Sequence, residues 1–395
     1  MAAVPAFPDF QSPEFLESHV QFILKFYEPV VVDSNGGFFQ CFKDSGDVYD
    51  PATRHLVSST RFVFNYAESY RRYGQPQHLD WARHGLDFLT QHHRQPTGHY
   101  AWVLDHHTVV DNTAMAYGHA FVILAAASCV RIGIDYAADI IDQTYELLET
   151  HFWEPEHNAY ADERDGSLGS LDPYRGQNAN MHLCEALLAA FIATGQTRFL
   201  DRAEVLAERF AIELAEQSGG LIWEHYHRDW SVDMQYNIDH PDDLFKPWGF
   251  QPGHQVEWAK LLLQLDSLRP DGRWLPRAVA LYDAAMTQGW DPEFGGLVYG
   301  FAPDGSFCDA HKYFWVHAEA FAAAWRLYRR TDDPQYAADY QRLWEWSWQY
   351  LIDHEQGAWF RIRQRDGSVY DDLKSPPGKT DYHTMGACWD VLTVG

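Results

Sequence analysis

The chain has 395 residues, of which 46% are hydrophobic, and its 56 acidic side chains against 30 Lys and Arg give a net charge of −26. A surface this negative repels phosphates, so the composition argues against general binding to nucleic acid or to an anionic membrane. The N-terminus has no basic stretch followed by an apolar one, and the longest apolar run is too short to cross a bilayer. We therefore expect no signal peptide and no membrane partner.

The cysteine pattern points to a reducing compartment. The five cysteines are scattered, and none belongs to a C-x-x-C pair. This spacing disfavours both a disulfide framework and a zinc site, and it favours a cytoplasmic location. Glycine-rich nucleotide motifs and a G-x-S-x-G nucleophile elbow are also absent. Aromatic residues make up 16% of the chain, which suits a large core and also a cleft that stacks on sugar rings.

A turn in which a glycine precedes an aromatic or other large apolar residue recurs along the chain. In the third copy an Asn, which also tolerates positive φ, replaces the glycine. The six turns are centred on Gly37, Gly98, Asn158, Gly220, Gly296 and Gly357. Their spacings of 61, 60, 62, 76 and 61 residues predict six copies of one unit, the fourth extended by about fifteen residues around Tyr236–Pro247.

Two helix-like segments belong to each unit. In chain order the predicted helices cover 14–31, 59–74, 76–93, 112–133, 135–152, 178–195, 197–214, 252–266, 271–288, 313–330, 333–352 and 381–395. Every second segment, starting with 59–74, is rich in small residues, whereas the others are amphipathic. This alternation predicts an all-α (α/α)6 barrel in which short β-hairpin loops feed an inner ring of helices. We expect residues 1–395 to form a single catalytic domain; the alternative is a multi-domain all-α chain.

Polar side chains mark the N-terminal ends of the predicted inner helices, where a core would be apolar. In a closed ring these ends meet around one funnel, so residues from different units converge there. The polar or aromatic candidates are Arg61, Asp111, Tyr117, Asn178, His182, His254, Glu257, Phe314, Trp315, Glu319 and His383. We expect them to form one site.

Two of the candidate histidines have an acidic residue three positions later on the same predicted helix. His254 precedes Glu257, and His182 precedes Glu185. Because residues three apart share a helix face, we expect Glu257 to orient His254 for proton transfer. A purely structural His–Glu hydrogen bond is the alternative. No compact metal motif such as H-E-x-x-H is present, so we predict no metal and no cofactor, although ligands drawn from separate units would also make a metal site.

Arg61 and two aromatic residues complete the expected funnel. Arg61 would stabilise a sugar oxygen that gains charge in a transition state, or it would pair with Glu257 or Asp111. Phe314 and Trp315 would stack on a pyranose face, or belong to the core. Other histidines are expected outside the funnel: His92 and His93 in solvent, and His107 at its edge.

At these residues the sequence resembles the N-acylglucosamine 2-epimerase superfamily over nearly its whole length. The resemblance is carried by Arg61 in TRFVFNYA, Tyr117 in AYGHAF, Asn178 and His182 in NANMHLCEALL, His254 and Glu257 in PGHQVEW, KYFWVHAEA at 312–320, and His383 in YHTMG. It implies an (α/α)6 barrel that acts on free sugars without a metal. It also implies that His254 and His383 serve as the acid/base pair.

Within the superfamily the RFVFNYA and FWVHAEAF strings are similar to the mannose-type aldose–ketose isomerases. Cellobiose epimerases more often carry two tryptophans where Phe314 and Trp315 stand here. The resemblance therefore implies an isomerase that interconverts D-mannose and D-fructose through a cis-enediolate, with lyxose or talose as further substrates. A mannose or cellobiose-type 2-epimerase is the alternative outcome of the same chemistry.

The expected mechanism assigns a role to each candidate. His383 would remove the C2 proton, a task that suits a neutral imidazole. Arg61 and His182 would hold the enediolate, and His254 would be the second acid/base. Tyr117, Asn178, Phe314, Trp315 and Glu319 would bind substrate.

Two other functional classes stay open at this point. An (α/α)6 glycoside hydrolase would need facing carboxylates, for which Asp111, Glu257 and Glu319 are candidates. A carbohydrate-binding protein without catalysis is the second class. The extension at Tyr236–Pro247 would either cover the funnel or join subunits, and the chain would be a monomer or a homo-oligomer.

Overall fold

The backbone alternates between two sets of α-helices. The structure, a computed structural model, describes residues 4–28 and 30–394. In chain order the helices within these ranges are α1 (Pro13–Tyr27), α2 (Leu56–Tyr73), α3 (Pro76–Phe88), α4 (Ala116–Val130), α5 (Ala137–His151), α6 (Gln177–Thr194), α7 (Thr197–Glu208), α8 (Pro252–Leu268), α9 (Trp274–Gly289), α10 (Phe314–Thr331), α11 (Pro334–Tyr350) and α12 (Tyr382–Val394). Short π-helical segments at Leu89–His93 and Arg209–Leu214 continue α3 and α7. The last predicted residue, Gly395, lies outside the described residues.

The even-numbered helices form a closed inner ring. Each packs against the next, and α12 packs against α2 to close the circle. The odd-numbered helices surround them: α3 packs on α2, α5 on α4, α7 on α6, α9 on α8, α11 on α10, and α1 on α12. The first helix of the chain thus covers the last one, and one hydrophobic core runs from Phe10 to Val391. This architecture confirms the predicted (α/α)6 barrel.

Local sequence signals explain where several helices begin and end. Ser12 and Asp333 accept a backbone N–H at the starts of α1 and α11, each just before a proline that favours the first helical turn. Gly74 and Gly195 end α2 and α6 in the left-handed region, which a glycine enters without steric cost. These signals fix the helix lengths and so the height of the ring.

The six recurring turns have the backbone conformation that the sequence predicted. Gly37 has φ +72°, Asn158 has φ +53° and Gly357 has φ +106°. The Asn therefore replaces a glycine in conformation as well as in position. An antiparallel bridge or a short hairpin closes the chain around these turns, as between Val32 and Phe38.

Short strands connect neighbouring units at one end of the ring. They are β1 (Cys41–Lys43), β2 (Val48–Asp50), β3 (Thr53–His55), β4 (Val103–Asp105), β5 (Thr108–Asp111), β6 (Ala114–Met115), β7 (Trp153–Glu154), β8 (Ala159–Tyr160), β9 (Glu163–Arg164), β10 (Arg175–Gly176), β11 (His225–Tyr226), β12 (Gly300–Phe301), β13 (Phe307–Asp309), β14 (Lys312–Tyr313), β15 (Ile362–Arg363) and β16 (Leu373–Ser375). The pairs β3–β4, β6–β9, β10–β11, β14–β15 and β16–β1 each join the strand before an inner helix to the next unit. All are antiparallel, with Lys312 opposite Arg363 in β14–β15. The hairpins thus hold the starts of the inner helices in place.

The extension at Tyr236–Pro247 forms neither a helix nor a strand. It lies between β11 and α8, on the end of the ring where the inner helices begin. Within residues 4–28 and 30–394, no helix combines the length and the apolar character that crossing a bilayer requires. The five cysteines in this part of the chain are free thiols.

Candidate active site

A cavity opens where the N-terminal ends of the inner helices meet; we call it the front cavity. Nine of the predicted residues line it: Arg61, Tyr117, Asn178, His182, His254, Glu257, Phe314, Trp315 and His383. They come from all six inner helices, and each helix supplies one or two of them. The closed ring therefore brings residues up to 322 positions apart into contact, as between Arg61 and His383.

Three histidines face one another across this cavity. The Trp315 ring is close to two of them, with centroid distances of 5.1 Å to His254 and 5.6 Å to His383. The rings of His182 and His383 are 6.5 Å apart. All three imidazoles are buried and line the same cavity, so one small ligand can contact them together.

His383 is held by a carboxylate behind it. Its Nδ1 lies 2.7 Å from Oε1 of Glu319, and its Nε2 lies 3.3 Å from a guanidinium nitrogen of Arg61. Burial lowers the pKa of His383 to about 4, and the Arg61 charge adds to that effect. The ring is therefore neutral at pH 7, which is the state that a general base needs.

His182 has a similar arrangement with the carboxylate that its sequence spacing predicted. Its Nδ1 lies 2.9 Å from Oε2 of Glu185, three residues later on α6. The Tyr382 hydroxyl donates to the other oxygen of Glu185. Burial lowers the pKa of His182. The imidazole is therefore neutral and fixed, and its ring is nearly perpendicular to that of Tyr117 at a centroid distance of 5.1 Å.

His254 is oriented by a residue that sequence analysis did not single out. Its Nδ1 lies 2.9 Å from Oε1 of Glu224, which belongs to the loop before β11. The Gln177 amide contacts both groups, and Trp258 donates to the Gln177 oxygen at 2.8 Å. The prediction that Glu257 orients His254 is wrong, because the imidazole turns away from its own helix towards this loop.

Glu257 has no hydrogen-bond partner for either carboxylate oxygen within the described residues. It is buried at the wall of the front cavity, 3.9 Å from Nδ1 of His182. Burial and the neighbouring charge of Glu319 raise the pKa of Glu257 well above its usual range. Burial therefore favours the protonated form of Glu257, which is able to donate a proton to a bound oxygen.

Arg61 forms no ion pair with a carboxylate in the part of the chain that the structure describes, so the alternative pairing with Glu257 or Asp111 is not observed. Its guanidinium donates to the Gly378 carbonyl and to the Tyr117 hydroxyl. It also lies over the Phe121 ring at 4.4 Å. A buried cation without an acidic partner is suited to an oxygen that gains negative charge.

Four sequence expectations fail because the side chains lie elsewhere. Glu319 lies behind His383 and does not line the front cavity, so it is no substrate ligand. Asp111 ends β5 and accepts the backbone N–H of Thr113. His107 is exposed and does not border the cavity, and His93 is fully buried where solvent exposure was expected.

Several residues that line the front cavity were not predicted from the sequence, because they lie outside helices. They are Tyr299, Tyr313, Arg361, the segment 376–379, and Leu244, Phe245 and Pro247 of the extension. A signal existed for two of the missed residues: Glu224 and Arg361 each stand four positions after the glycine of a recurring turn. The extension thus forms part of the wall of the front cavity, which agrees with the predicted role of covering the funnel and not with that of joining subunits alone.

Among the residues that the structure describes, two groups of side chains are close enough to hold a metal ion. They are His182 with Glu185 and Glu257, and Glu257 with Glu319 and His383. Both depend on Glu257, and burial favours the protonated form of its carboxyl, which is a poor metal ligand. The Lys260 ammonium already occupies one oxygen of Glu319. These charges disfavour a cation at either group.

Comparison with known proteins identifies the family. The sequence profile of the N-acylglucosamine 2-epimerase (GlcNAc 2-epimerase) family matches residues 37–387. A D-mannose isomerase from Marinomonas mediterranea is 52% identical over 388 residues, which cover 98% of both chains. The chain therefore belongs to the N-acylglucosamine 2-epimerase family, as the sequence resemblance indicated.

Solved structures agree with this assignment. A crystal structure of a D-mannose isomerase superposes with a TM-score of 0.97 at 52% identity, covering 98% of this chain and all of the other. A cellobiose 2-epimerase from Bacillus thermoamylovorans has a TM-score of 0.86 at 20% identity, covering 97% of this chain and all of the other, and so shows the fold alone. The fold and the family place the chain among the sugar epimerases and isomerases. It is an enzyme of that class.

Proposed function

We propose that the enzyme interconverts D-mannose and D-fructose as an aldose–ketose isomerase. The observation that carries this proposal is the placement of His383, whose Nδ1 is held by Glu319 while Nε2 faces the front cavity beside Arg61. The neutral base and the cation are thus adjacent, as removal of a proton next to a carbonyl requires. The 52% identity to a D-mannose isomerase supports the same reaction.

The proton transfers follow from this geometry. Nε2 of His383 takes the C2 proton of the open-chain aldose, and the electron pair moves to O1 to form a cis-enediolate. Arg61 stabilises the negative oxygen, and the neutral His182, whose Nδ1–H donates to Glu185, accepts a hydrogen bond from a sugar hydroxyl at Nε2. His383 then returns the proton to C1 while the O2 proton passes to O1, which leaves a ketone at C2 and no net change in protons.

His254 and Glu257 act at the other side of the sugar. Glu224 accepts the Nδ1 proton of His254, so Nε2 of His254 is free to exchange a proton with a ring or carbonyl oxygen. Glu257 in its protonated form is a second donor at the same wall. These groups support the opening of the pyranose ring, which must precede removal of the C2 proton.

A 2-epimerase is the second candidate, and a specific observation favours it over other classes. His254 and His383 are both close to the Trp315 ring and line the same cavity, which supports two imidazoles acting on one carbon. Delivery of a proton from His254 to C2 of the same enediolate would give glucose. The two outcomes therefore differ only in which atom is reprotonated.

A glycoside hydrolase is less well supported. Of its three candidate carboxylates, Asp111 and Glu319 do not line the front cavity, which leaves Glu257 alone there. The described walls of the cavity therefore lack the facing pair of carboxylates that this chemistry uses.

Analysis of products separates the candidates. Chelator-treated enzyme is incubated with mannose, and the sugars are resolved by chromatography. Fructose as the main product supports the isomerase, whereas glucose without fructose supports the epimerase. Binding of mannose without turnover would leave only a carbohydrate-binding role.

Further properties belong to the same proposal. The aromatic and apolar wall from the extension favours a single sugar unit, so we expect mannose and fructose as substrates, with lyxose and talose as further ones. The continuous core supports a single catalytic domain over residues 1–395. Five free, scattered thiols support a cytoplasmic location.

A further inference from the structure

Three side chains from three inner helices form a chain that ends at His383. The Lys260 ammonium on α8 donates to Oε2 of Glu319 on α10. Oε1 of the same carboxylate lies 2.7 Å from Nδ1 of His383 on α12. All three side chains are buried, so each contact is made in a medium that weakens electrostatic interactions little.

A second cavity, which we call the rear cavity, lies behind this chain on the opposite side of the ring from the front cavity. Its volume is about 340 Å³, and both Lys260 and Glu319 line it. Neither residue lines the front cavity, whereas His383 lines both. Lys260 is therefore separated from a bound sugar, and it can influence the reaction only through Glu319 and His383.

We propose that Lys260 is a positioning residue that fixes the tautomer of His383 by keeping the Glu319 carboxylate ionised. An ionised carboxylate only accepts hydrogen bonds. Nδ1 of His383 must then carry the ring proton, and Nε2 presents its lone pair to the front cavity. A protonated Glu319 would donate to Nδ1, move the ring proton to Nε2 and leave no base facing the sugar. The inference rests on the proposed function, in which Nε2 of His383 is that base.

The surroundings of Glu319 explain why a cation is needed behind it. Burial opposes ionisation of Glu319, but the Lys260 charge and the bond to His383 together lower its pKa. Burial likewise opposes the charge on Lys260, and Glu319, Glu257 and Glu185 outweigh that effect and raise its pKa. The other titratable or charged side chains facing this group are Arg61 on α2, His182 on α6, and Tyr382 and Asp390 on α12.

Replacement of Lys260 tests the proposal. Lys260→Met and the less disruptive Lys260→Gln remove the charge, and Lys260→Arg keeps it. Loss of a neighbouring cation raises the pKa of the Glu319–His383 pair. We therefore expect the acidic limb of the kcat profile to move up by about four pH units, from about pH 4 to about pH 8. At pH 7, kcat for mannose should fall by about tenfold or more, with KM within about twofold of the wild type. In Lys260→Arg the acidic limb of the kcat profile should return to its wild-type pH.

Lys312→Met is the matched control. Lys312 is also a fully buried ammonium, paired with Asp291 at 3.2 Å, but it lines neither the front nor the rear cavity. Its loss should lower the thermal midpoint without moving the acidic limb. A limb that moves equally in Lys312→Met, or a kcat of Lys260→Gln that falls by the same factor at every pH, would overturn the proposal.

Nitrogen NMR of histidine-labelled enzyme without sugar reads the tautomer independently of activity. His383→Asn identifies the His383 signals by their disappearance. We expect Nε2 to be unprotonated in the wild type and protonated in Lys260→Gln at pH 7; an unprotonated Nε2 in both would overturn the role of Lys260. A wild type that makes no fructose would contradict the proposed function alone, because the NMR result does not depend on turnover.

Discussion

The carboxylate of Glu224 lies 2.9 Å from Nδ1 of His254, although the two residues are 30 positions apart and the irregular extension lies between them. Glu224 stands beside the strand pair β10–β11, which fixes the loop against the start of α6. The loop therefore arrives at His254 from outside its helix. Two of the three cavity histidines receive their carboxylate from another element, Glu224 for His254 and Glu319 for His383.

Loss of the Glu224 carboxylate should impair turnover more than binding. In Glu224→Ala, Nδ1 of His254 loses its charged acceptor, so the ring can rotate or take the other tautomer. We expect kcat to fall by about 100-fold in Glu224→Ala. It should fall less in Glu224→Gln, because an amide oxygen still accepts a hydrogen bond from Nδ1–H. Steady-state kinetics on mannose measures both. Asp353→Asn, a buried carboxylate that pairs with Lys374, is the control and should keep kcat; equal losses in both variants would contradict this role for Glu224.

Not every buried histidine belongs to the chemistry. His119 accepts the backbone N–H of Tyr100 in its own unit, and Asn180 and Gln255 make the equivalent contacts with Tyr160 and Ile222. An amide thus replaces the imidazole in two other units. We expect His119→Asn to keep kcat within about twofold and to lose about 1 kcal/mol of unfolding free energy. Kinetics and urea unfolding check this, and a loss of activity without a loss of stability would contradict it.

The buried histidines should make the fold sensitive to acid. Burial lowers the pKa of His19, His55 and His317 to about 3, and that of His93 and His119 to about 4. Their stabilising effect is complete above the unfolded value near 6.5 and is lost as the pH falls towards 3–4. Each such group steepens the fall of the unfolding free energy with decreasing pH by up to about 1.4 kcal/mol per pH unit.

Urea unfolding at pH 7.5, 6.5 and 5.5 measures this decline. We expect the unfolding free energy to fall between pH 6.5 and 5.5. Unfolding of His119→Asn should take up about one proton fewer than unfolding of the wild type, so its unfolding free energy should fall less steeply over this interval. A stability that is constant over this interval would show that these imidazoles are protonated in the folded enzyme.

The extension should control the size of the sugar that the enzyme accepts. Phe245 lines the front cavity and also a neighbouring cavity that contains Trp102 and Tyr174. In Phe245→Ala the two cavities would join, so we expect KM for mannose to rise about threefold to tenfold and activity to appear on a disaccharide with mannose at its reducing end. Ile238→Ala, on an exposed part of the same extension, should match the wild type. An unchanged substrate range in Phe245→Ala would contradict this role.

Sequence periodicity was sufficient to predict the ring. The spacing of the turns, including Asn158 in place of a glycine, gave the number of units, and six units of two helices leave few other architectures. The predicted helices agree with the structure to within a few residues at most ends, as for α6, predicted at 178–195 and observed at Gln177–Thr194. Helix periodicity predicts these bounds well because each unit packs its two helices in the same way.

Side-chain partners were harder to predict than positions. His182 and His254 both precede an acidic residue by three positions, but only His182 pairs with it. Spacing on a helix establishes a shared face and not a rotamer, and a loop from another unit offered His254 a closer carboxylate. The charged residues behind the site, such as Lys260 and Glu319, cannot be told from other buried polar residues in the sequence, because only the closed ring brings them into contact.

The central claim is that His383 removes the C2 proton of mannose. The most direct test follows deuterium from solvent into the sugars by NMR, with wild type and His383→Ala in deuterated buffer. We predict deuterium at C1 of fructose and at C2 of recovered mannose in the wild type, and neither label nor fructose above background in a folded His383→Ala. Label that enters C2 of mannose at a near-normal rate in His383→Ala would contradict the account.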